Sequence, residues 1–110
     1  MLDTLSVTLA ALADPTRRAM LLRLAAGNAS VTELGMAFTL SQPAISKHIK
    51  VLEKAGLISR SRSAQFRPCQ LESAPLNEIK TMMEAFGRLT EERFDRLENY
   101  LQELQAAPPF

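Results

Sequence analysis

The sequence predicts a mainly α-helical chain with one small β-hairpin, in the order α-α-α-α-β-β-α. Three observations carry that order. Residues 39–57, T-L-S-Q-P-A-I-S-K-H-I-K-V-L-E-K-A-G-L, hold a helix start, an apolar stripe, a basic outer face and a stop. A few residues upstream, Ser30-Val31-Thr32-Glu33 is a capping-box pattern that opens another short helix. After Gly56 the apolar period shortens toward alternation, and from Ala74-Pro75 a helical stripe returns and runs almost to the end.

Taken in order, residues 2–13 place Leu2, Leu5, Leu9 and Leu12 at three- and four-residue steps with almost no charge. A helix with so little polar surface is expected to pack on both sides, against a second subunit as well as its own core. Asp14-Pro15 reads as an N-cap with proline at the first helical position, opening a second helix through about Ala26. Its core candidates are Met20, Leu21 and Leu24, and Gly27-Asn28 supplies the stop. The third helix runs from Val31 to about Phe38, with Leu34 and Phe38 inward. Only a brief Thr39-Leu40 link precedes the fourth, which Ser41 caps and Gly56 ends; two helices joined by so short a turn form a helix-turn-helix over residues 30–56.

In the fourth helix Ile45, Ile49 and Leu52 recur at helical spacing, while Pro43, Ser46, Lys47, Lys50 and Lys54 gather on the opposite side. An apolar back and a cationic, hydroxylic front suit the DNA major groove. Residues 57–71 then predict a hairpin, with Leu57 to Arg62 pairing Phe66 to Leu71 across a loose tip at Ser63-Ala64-Gln65. Arg60, Arg62 and Arg67 on or near it suit phosphate contact. The last helix, residues 75–105, carries Ile79, Met82, Met83, Phe86, Leu89, Phe94, Leu97, Leu101 and Leu104 as a nearly continuous stripe, and the tail after it is expected to fray. Some 30 residues of helix extend about 45 Å, more than so small a domain covers, so a homodimer is expected through residues 1–13 and 75–105. The interface candidates are Leu5, Leu9, Met83, Phe86, Phe94, Leu97 and Leu101.

Bulk properties bound the function. A chain of 110 residues is one domain's worth, and 46% hydrophobic with 23% charged residues is ordinary globular composition. No run of 18 apolar residues and no basic signal-peptide start occur, so a cytoplasmic protein without membrane contact is expected. Residues 1–71 hold nine Lys/Arg against four acids, a net +5, whereas residues 72–110 hold four against eight, a net −4. Such a split places a polyanion-facing region beside one facing solvent or protein, although solvated helix surfaces produce charge runs too. With one cysteine, Cys69, and one histidine, His48, there is no intrachain disulfide and no Ser/His/Asp or Cys/His set. No glycine-rich phosphate loop is present either, so neither an enzyme nor a cofactor is expected.

Among the candidate contacts, Ser41, Gln42, Ser46 and Lys47 are placed to reach base edges, with Gln42 suited to adenine. The plainer readings are that Ser41 only caps and Gln42 only meets solvent. Lys50 is a phosphate candidate. His48 lies about 60° from the centre of the buried stripe, where a lone histidine is more often packed or bonded to backbone. Arg17 and Arg18 either touch DNA backbone or meet solvent; Cys69 reads as a small buried apolar side chain rather than a redox sensor.

Helix, helix, helix-turn-helix, basic hairpin and dimerising helix is the order of a winged helix-turn-helix repressor. At the residue level the chain resembles the ArsR/SmtB family of bacterial transcriptional regulators. The matching pieces are L-A-D-P-T-R-R-A-M-L-L-R-L (residues 12–24), V-T-E-L (31–34), L-S-Q-P-A-I-S-K-H-I-K-V-L-E-K-A-G-L-I (40–58) and the arginine-rich wing. The segment E-E-R-F-D-R-L-E-N-Y-L-Q-E-L (91–104) looks like the last helix of one of its subgroups. The resemblance implies a homodimeric repressor of a double-stranded, pseudo-palindromic operator, and extends contact with phosphate or bases to His48. It implies no metal of the known kinds, because Gly35 and Ala37 stand where metal-binding members carry cysteines and the last helix has no histidine. An effector, small molecule or protein, stays open, as do the operator and its genes. The alternative is a helical protein-interaction and dimerisation module that has lost DNA binding.

Overall fold

Each of the first four helices begins where a side-chain oxygen accepts an otherwise unpaired backbone N–H. In the structure, a computed structural model describing residues 3–62 and 65–106, these helices are α1 (Thr4–Leu12), α2 (Pro15–Ala25), α3 (Val31–Phe38) and α4 (Gln42–Lys54). Asp3 accepts from the N–H of Ser6 at 2.7 Å and Asp14 from that of Arg17 at 3.0 Å. Ser30 accepts from the N–H of Glu33 at 3.1 Å while the Glu33 carboxylate accepts from the N–H of Ser30 at 3.2 Å, completing the capping box. Strands β1 (Ile58–Arg60) and β2 (Cys69–Leu71) and helix α5 (Ala74–Ala106) follow, giving the α-α-α-α-β-β-α winged helix-turn-helix order. Leu2, Ser63, Ala64 and the expected frayed tail past Ala106 lie outside the described residues. No helix among the described residues is long and apolar enough to cross a membrane.

The core gathers one face from every element up to β2. Met20, Leu21 and Leu24 of α2 meet Leu34 of α3, Ile45, Ile49 and Leu52 of α4, and Leu57, Ile58 and Cys69 of the hairpin, all buried. Burying a side chain of this size contributes roughly 1.5–3 kcal/mol, so this cluster dominates the stability of the first four helices and the hairpin. The buried face of α1 differs from the leucine stripe in the sequence. Thr8, at 1% exposure, and Ala11 face inward, Leu12 packs at the core's edge, Leu5 is half-buried and Leu9 is 37% exposed. Small side chains let α1 approach closely, and the Thr8 hydroxyl donates to the Thr4 carbonyl at 2.9 Å, which removes the cost of burying it.

The hairpin is shorter than its alternation suggests. Ile58 pairs with Leu71, Ser59 with Gln70 and Arg60 with Cys69, and one further bond joins the Ser61 N–H to the Pro68 carbonyl. Pro68 has no N–H and Arg67 adopts a left-handed φ of 44°, so regular pairing stops there and Phe66 is left exposed in a turn. On its other edge β2 bonds Ala29: the Cys69 N–H donates to the Ala29 carbonyl at 2.7 Å and the Ala29 N–H returns the bond at 3.2 Å. Cys69 is therefore enclosed on both sides, fully buried, and burial pushes its thiol pKa up.

The chain divides between Ile79 and Lys80 into two units. In the first, Leu76 at the start of α5 packs against the core. In the second, helical residues 80–106 leave Met83, Phe86, Leu89, Phe94, Leu97, Tyr100, Leu101 and Leu104 each about half exposed or more.

The capping bonds hold the carboxyls of Asp3, Asp14 and Glu33 below their ordinary values, in each case chiefly through the backbone N–H each one caps. A depressed carboxyl favours the folded state above its unfolded pKa, and that contribution fades as pH falls through the folded value. Thermal melts are expected to show stability declining as pH drops below about 4, with a shallower acid limb in Asp14→Asn, whose amide oxygen still caps but does not titrate. Superimposable acid limbs in the two proteins would refute this.

Candidate nucleic-acid interface

Helix α4 has two fixed ends and two unlike faces. At its start the Ser41 hydroxyl accepts from the Ala44 N–H at 3.3 Å and Pro43 occupies the first turn, where an N–H has no helical partner. At its end the Leu57 N–H reaches back to Leu52 O and the Gly56 N–H to Glu53 O, both at 3.0 Å, the paired bonds of a Schellman stop. Gly56 takes the left-handed φ of 74° that this stop requires. The side chains of Leu52 and Leu57 are both fully buried, so the stop is also a core contact. With Ile45, Ile49 and Leu52 sealed inward, Gln42, Pro43, Lys47, Lys50 and Lys54 are exposed, and Ser46 and His48 are half-buried at the margins.

The turn leading into this helix is tight. Thr39 ends α3 with a left-handed φ of 55°, unusual for a β-branched residue, and the Leu40 N–H bonds Gly35 O at 3.1 Å. These residues bring α3 to an abrupt end two residues before Ser41 and so fix where the exposed face of α4 begins.

The three wing arginines are not equivalent. Arg60 is half-buried, and its Nε and Nη2 both donate to the Arg67 carbonyl at 3.2 Å. The left-handed backbone at Arg67 accompanies this contact, so Arg60 braces the hairpin. Arg62 and Arg67 present exposed side chains. Nearby, the Ser59 hydroxyl donates to Glu72 at 2.5 Å, a second tie across the hairpin.

Arg17, half-buried, and Arg18, exposed, each bond carbonyls of α1. Arg17 donates through Nε to Ala11 O at 2.6 Å and through Nη2 to Ala10 O at 3.2 Å, and Arg18 donates to Leu12 O at 2.7 Å. Both donate to carbonyls in the last turn of α1, where Ala10 O also accepts from the Ala13 N–H at 3.2 Å, and place positive charge at its negative pole. The signal was the short link: only Ala13 and Asp14 separate the two helices, so first-turn arginines of α2 are within reach of α1. Nη1 of Arg17 also lies 3.4 Å from Nδ1 of His48, which joins α2 to α4.

Metal ligation finds little to work with. Gly35 and Ala37 have no donor atoms, Cys69 is fully buried, and among the described residues no group of three or more His, Cys, Asp or Glu side chains converges. Gly35 and Ala37 therefore supply no side-chain ligand at the positions the resemblance points to.

Comparison with known proteins agrees with this geometry. Residues 14–60 match the family described as bacterial regulatory protein, arsR family. An HTH-type transcriptional regulator of Mycobacterium tuberculosis is 41% identical over 76 residues, which span 69% of this chain and 71% of that protein. The transcriptional repressor SdpR of Bacillus subtilis is 39% identical over 56 residues, 51% of this chain and 62% of the repressor. Among solved structures, an ArsR family transcriptional regulator aligns with a TM-score of 0.73 at 37% identity, covering 81% of this chain and 98% of its own.

The division between scaffold and exposed face has a direct consequence for stability. Ser41→Ala should cost about 1 kcal/mol, the usual loss of an N-cap, whereas Lys47→Ala should stay within about 0.5 kcal/mol of wild type. Chemical denaturation of both variants checks this, and equal costs would contradict the assignment.

Proposed function

The chain belongs to the arsR family of bacterial regulatory proteins and is thus a DNA-binding transcriptional regulator rather than an enzyme; from that premise we propose that it is a homodimeric, cytoplasmic repressor that reads a pseudo-palindromic operator with α4. The observation that carries the reading is α4 itself, a helix locked at both ends with a sealed apolar back and an exposed front of Gln42, Pro43, Lys47 and Lys50. Gln42 and Lys47 read base edges, with Ser41 and Ser46 at the margin of the contact, and Lys50 and His48 hold phosphates. Arg62 and Arg67 of the wing grip flanking backbone, with Arg60 supporting them from within the hairpin.

Dimerisation is the reading of the unmatched apolar surface. Leu5 and Leu9 of α1 lie outside the sealed core, and Met83, Phe86, Phe94, Leu97 and Leu101 of α5 are at least about half exposed. Apolar side chains repeating at helical spacing along an exposed face mark an interaction surface, and a second copy of the chain is the commonest partner. Two reading helices then enter successive major grooves about 34 Å apart. In this reading residues 1–13 and 75–105 serve the dimer, 30–56 the DNA-reading motif and 57–71 the wing, within a single domain. The absence of ligand atoms at Gly35 and Ala37 supports a repressor whose release does not depend on a metal at the known sites.

A gel shift against the chain's own upstream DNA across a salt series tests the assignment. The logarithm of affinity should fall linearly with the logarithm of salt. Lys50→Ala and Arg62→Ala should each weaken binding on all sequences and reduce that slope by about 1. Gln42→Ala should chiefly change sequence preference. No salt-dependent shift with the wild-type protein would instead favour a protein-interaction module that no longer binds DNA.

A further inference from the structure

We propose that Arg17 is a positioning residue for DNA reading: its guanidinium ties the end of α1 to His48 of α4, and the tie exists only while Nδ1 of His48 carries no proton. The proposal rests on the DNA-binding reading above and adds to it a route by which the reading helix is coupled to α1.

The geometry assigns each nitrogen of the guanidinium a partner. Nε and Nη2 donate to the Ala11 and Ala10 carbonyls, and Nη1 lies 3.4 Å from Nδ1 of His48. A guanidinium has only donors, so Nδ1 must be the acceptor in this contact. Its lone pair is then in use, the ring proton sits on Nε2, and His48 offers one N–H outward from the tie. Protonation of Nδ1 removes the lone pair and sets imidazolium against guanidinium. One arginine therefore joins three helices, and the junction has a chemical condition attached to it.

The surrounding charges do not obscure that condition. From the start of α2, besides Arg17, the capping Asp14 faces the pair; its carboxyl is held below its ordinary value, chiefly by the Arg17 N–H, so it remains ionised throughout the histidine range. From α1 only backbone carbonyls approach, since residues Thr4–Leu12 include no titratable side chain. On α4 itself Lys47 and Lys50 flank His48, with Glu53 and Lys54 farther along. His48 is the sole histidine of the chain, so an event in that range is attributable to it once the N-terminal amine is cancelled by comparing variants.

The test measures operator affinity at fixed salt for wild type, Arg17→Met and Arg17→Lys from about pH 8 to about pH 5.5. Lysine keeps the charge and can satisfy an α1 carbonyl, but one ammonium cannot span both carbonyls and the imidazole, so it retains the fold if methionine does not. At about pH 8 each variant should bind about tenfold more weakly than wild type, the equivalent of one good hydrogen bond. The gap should narrow as the pH is lowered, because a proton on Nδ1 removes the acceptor from the wild-type protein as well. In a His48→Asn background, where an amide oxygen accepts at every pH, the gap should not change with pH. A gap near unity at the upper pH overturns the proposal. So does a gap that stays constant through the histidine range in the His48 protein, the result expected if Arg17 merely caps α1. Imidazole nitrogen NMR reads the tie without DNA: the Nδ1 resonance should move in Arg17→Lys, and an unmoved resonance overturns the contact itself. A responsive resonance in a protein that binds no DNA would overturn the functional reading instead.

Discussion

The rest of the structure depends on the burial of one face of α4. Ile45, Ile49 and Leu52 leave almost no surface exposed, and a helix so fixed has no freedom to rotate its opposite side. The constraint extends beyond the helix ends. Leu57 closes the Schellman stop by packing where Leu52 packs, so the strand that follows starts already buried at Ile58. Its partner β2 is held between β1 and Ala29, which anchors the hairpin to the link between α2 and α3. The exposed lysines and the wing are thus placed by apolar contacts on their far side, and a change in Leu52 or Leu57 would be felt at a surface that neither residue touches.

What the sequence disclosed and what it concealed divide along the range of the interactions. The N-caps at Asp14, Ser30 and Ser41, the capping box and the stop at Gly56 are agreements among residues three to five apart, and the periodic stripes of α2 to α4 follow from helix geometry alone. The inward face of α1 is a different matter. The leucine spacing marks an apolar helix and singles out Leu5 and Leu9 for a partner, but the side chains α1 buries are Thr8 and Ala11, which no periodic apolar pattern picks out. The Ala29 bridge to Cys69 joins residues forty apart and has no sequence mark.

The candidate contacts show the same boundary. Exposure of Gln42, Pro43, Lys47 and Lys50 follows from helical phase, so the front of α4 could be read in advance. Positive charge could be counted but not apportioned. Arg17 and Arg60 are half-buried on backbone carbonyls, Arg18 bonds a carbonyl while exposed, and Arg62 and Arg67 are exposed, although all five contribute equally to the basic balance of the first 71 residues. An arginine's use depends on which unpaired carbonyl lies within reach of its long stem, and that is settled by tertiary folding. The Arg17–His48 contact belongs to this class, joining residues thirty-one apart.

Specificity gives a physical reason for the proposed second subunit. The exposed front of α4 offers only a few side chains of base-reading length, and each good base contact is worth roughly 1–3 kcal/mol. Discrimination of an operator from bulk DNA requires roughly 4–10 kcal/mol, which one such helix reaches with difficulty and two reach together. Joining the two in a dimer would make the second half-site encounter intramolecular, provided that the spacing between the two α4 helices were held. The apolar face along residues 80–106 is costly to leave in water and weak as an isolated helix, so its burial in a dimer would stabilise the helix and set that spacing in one step. Assembly and operator recognition would then be linked equilibria, with dilution of the dimer releasing DNA without any change at the reading face.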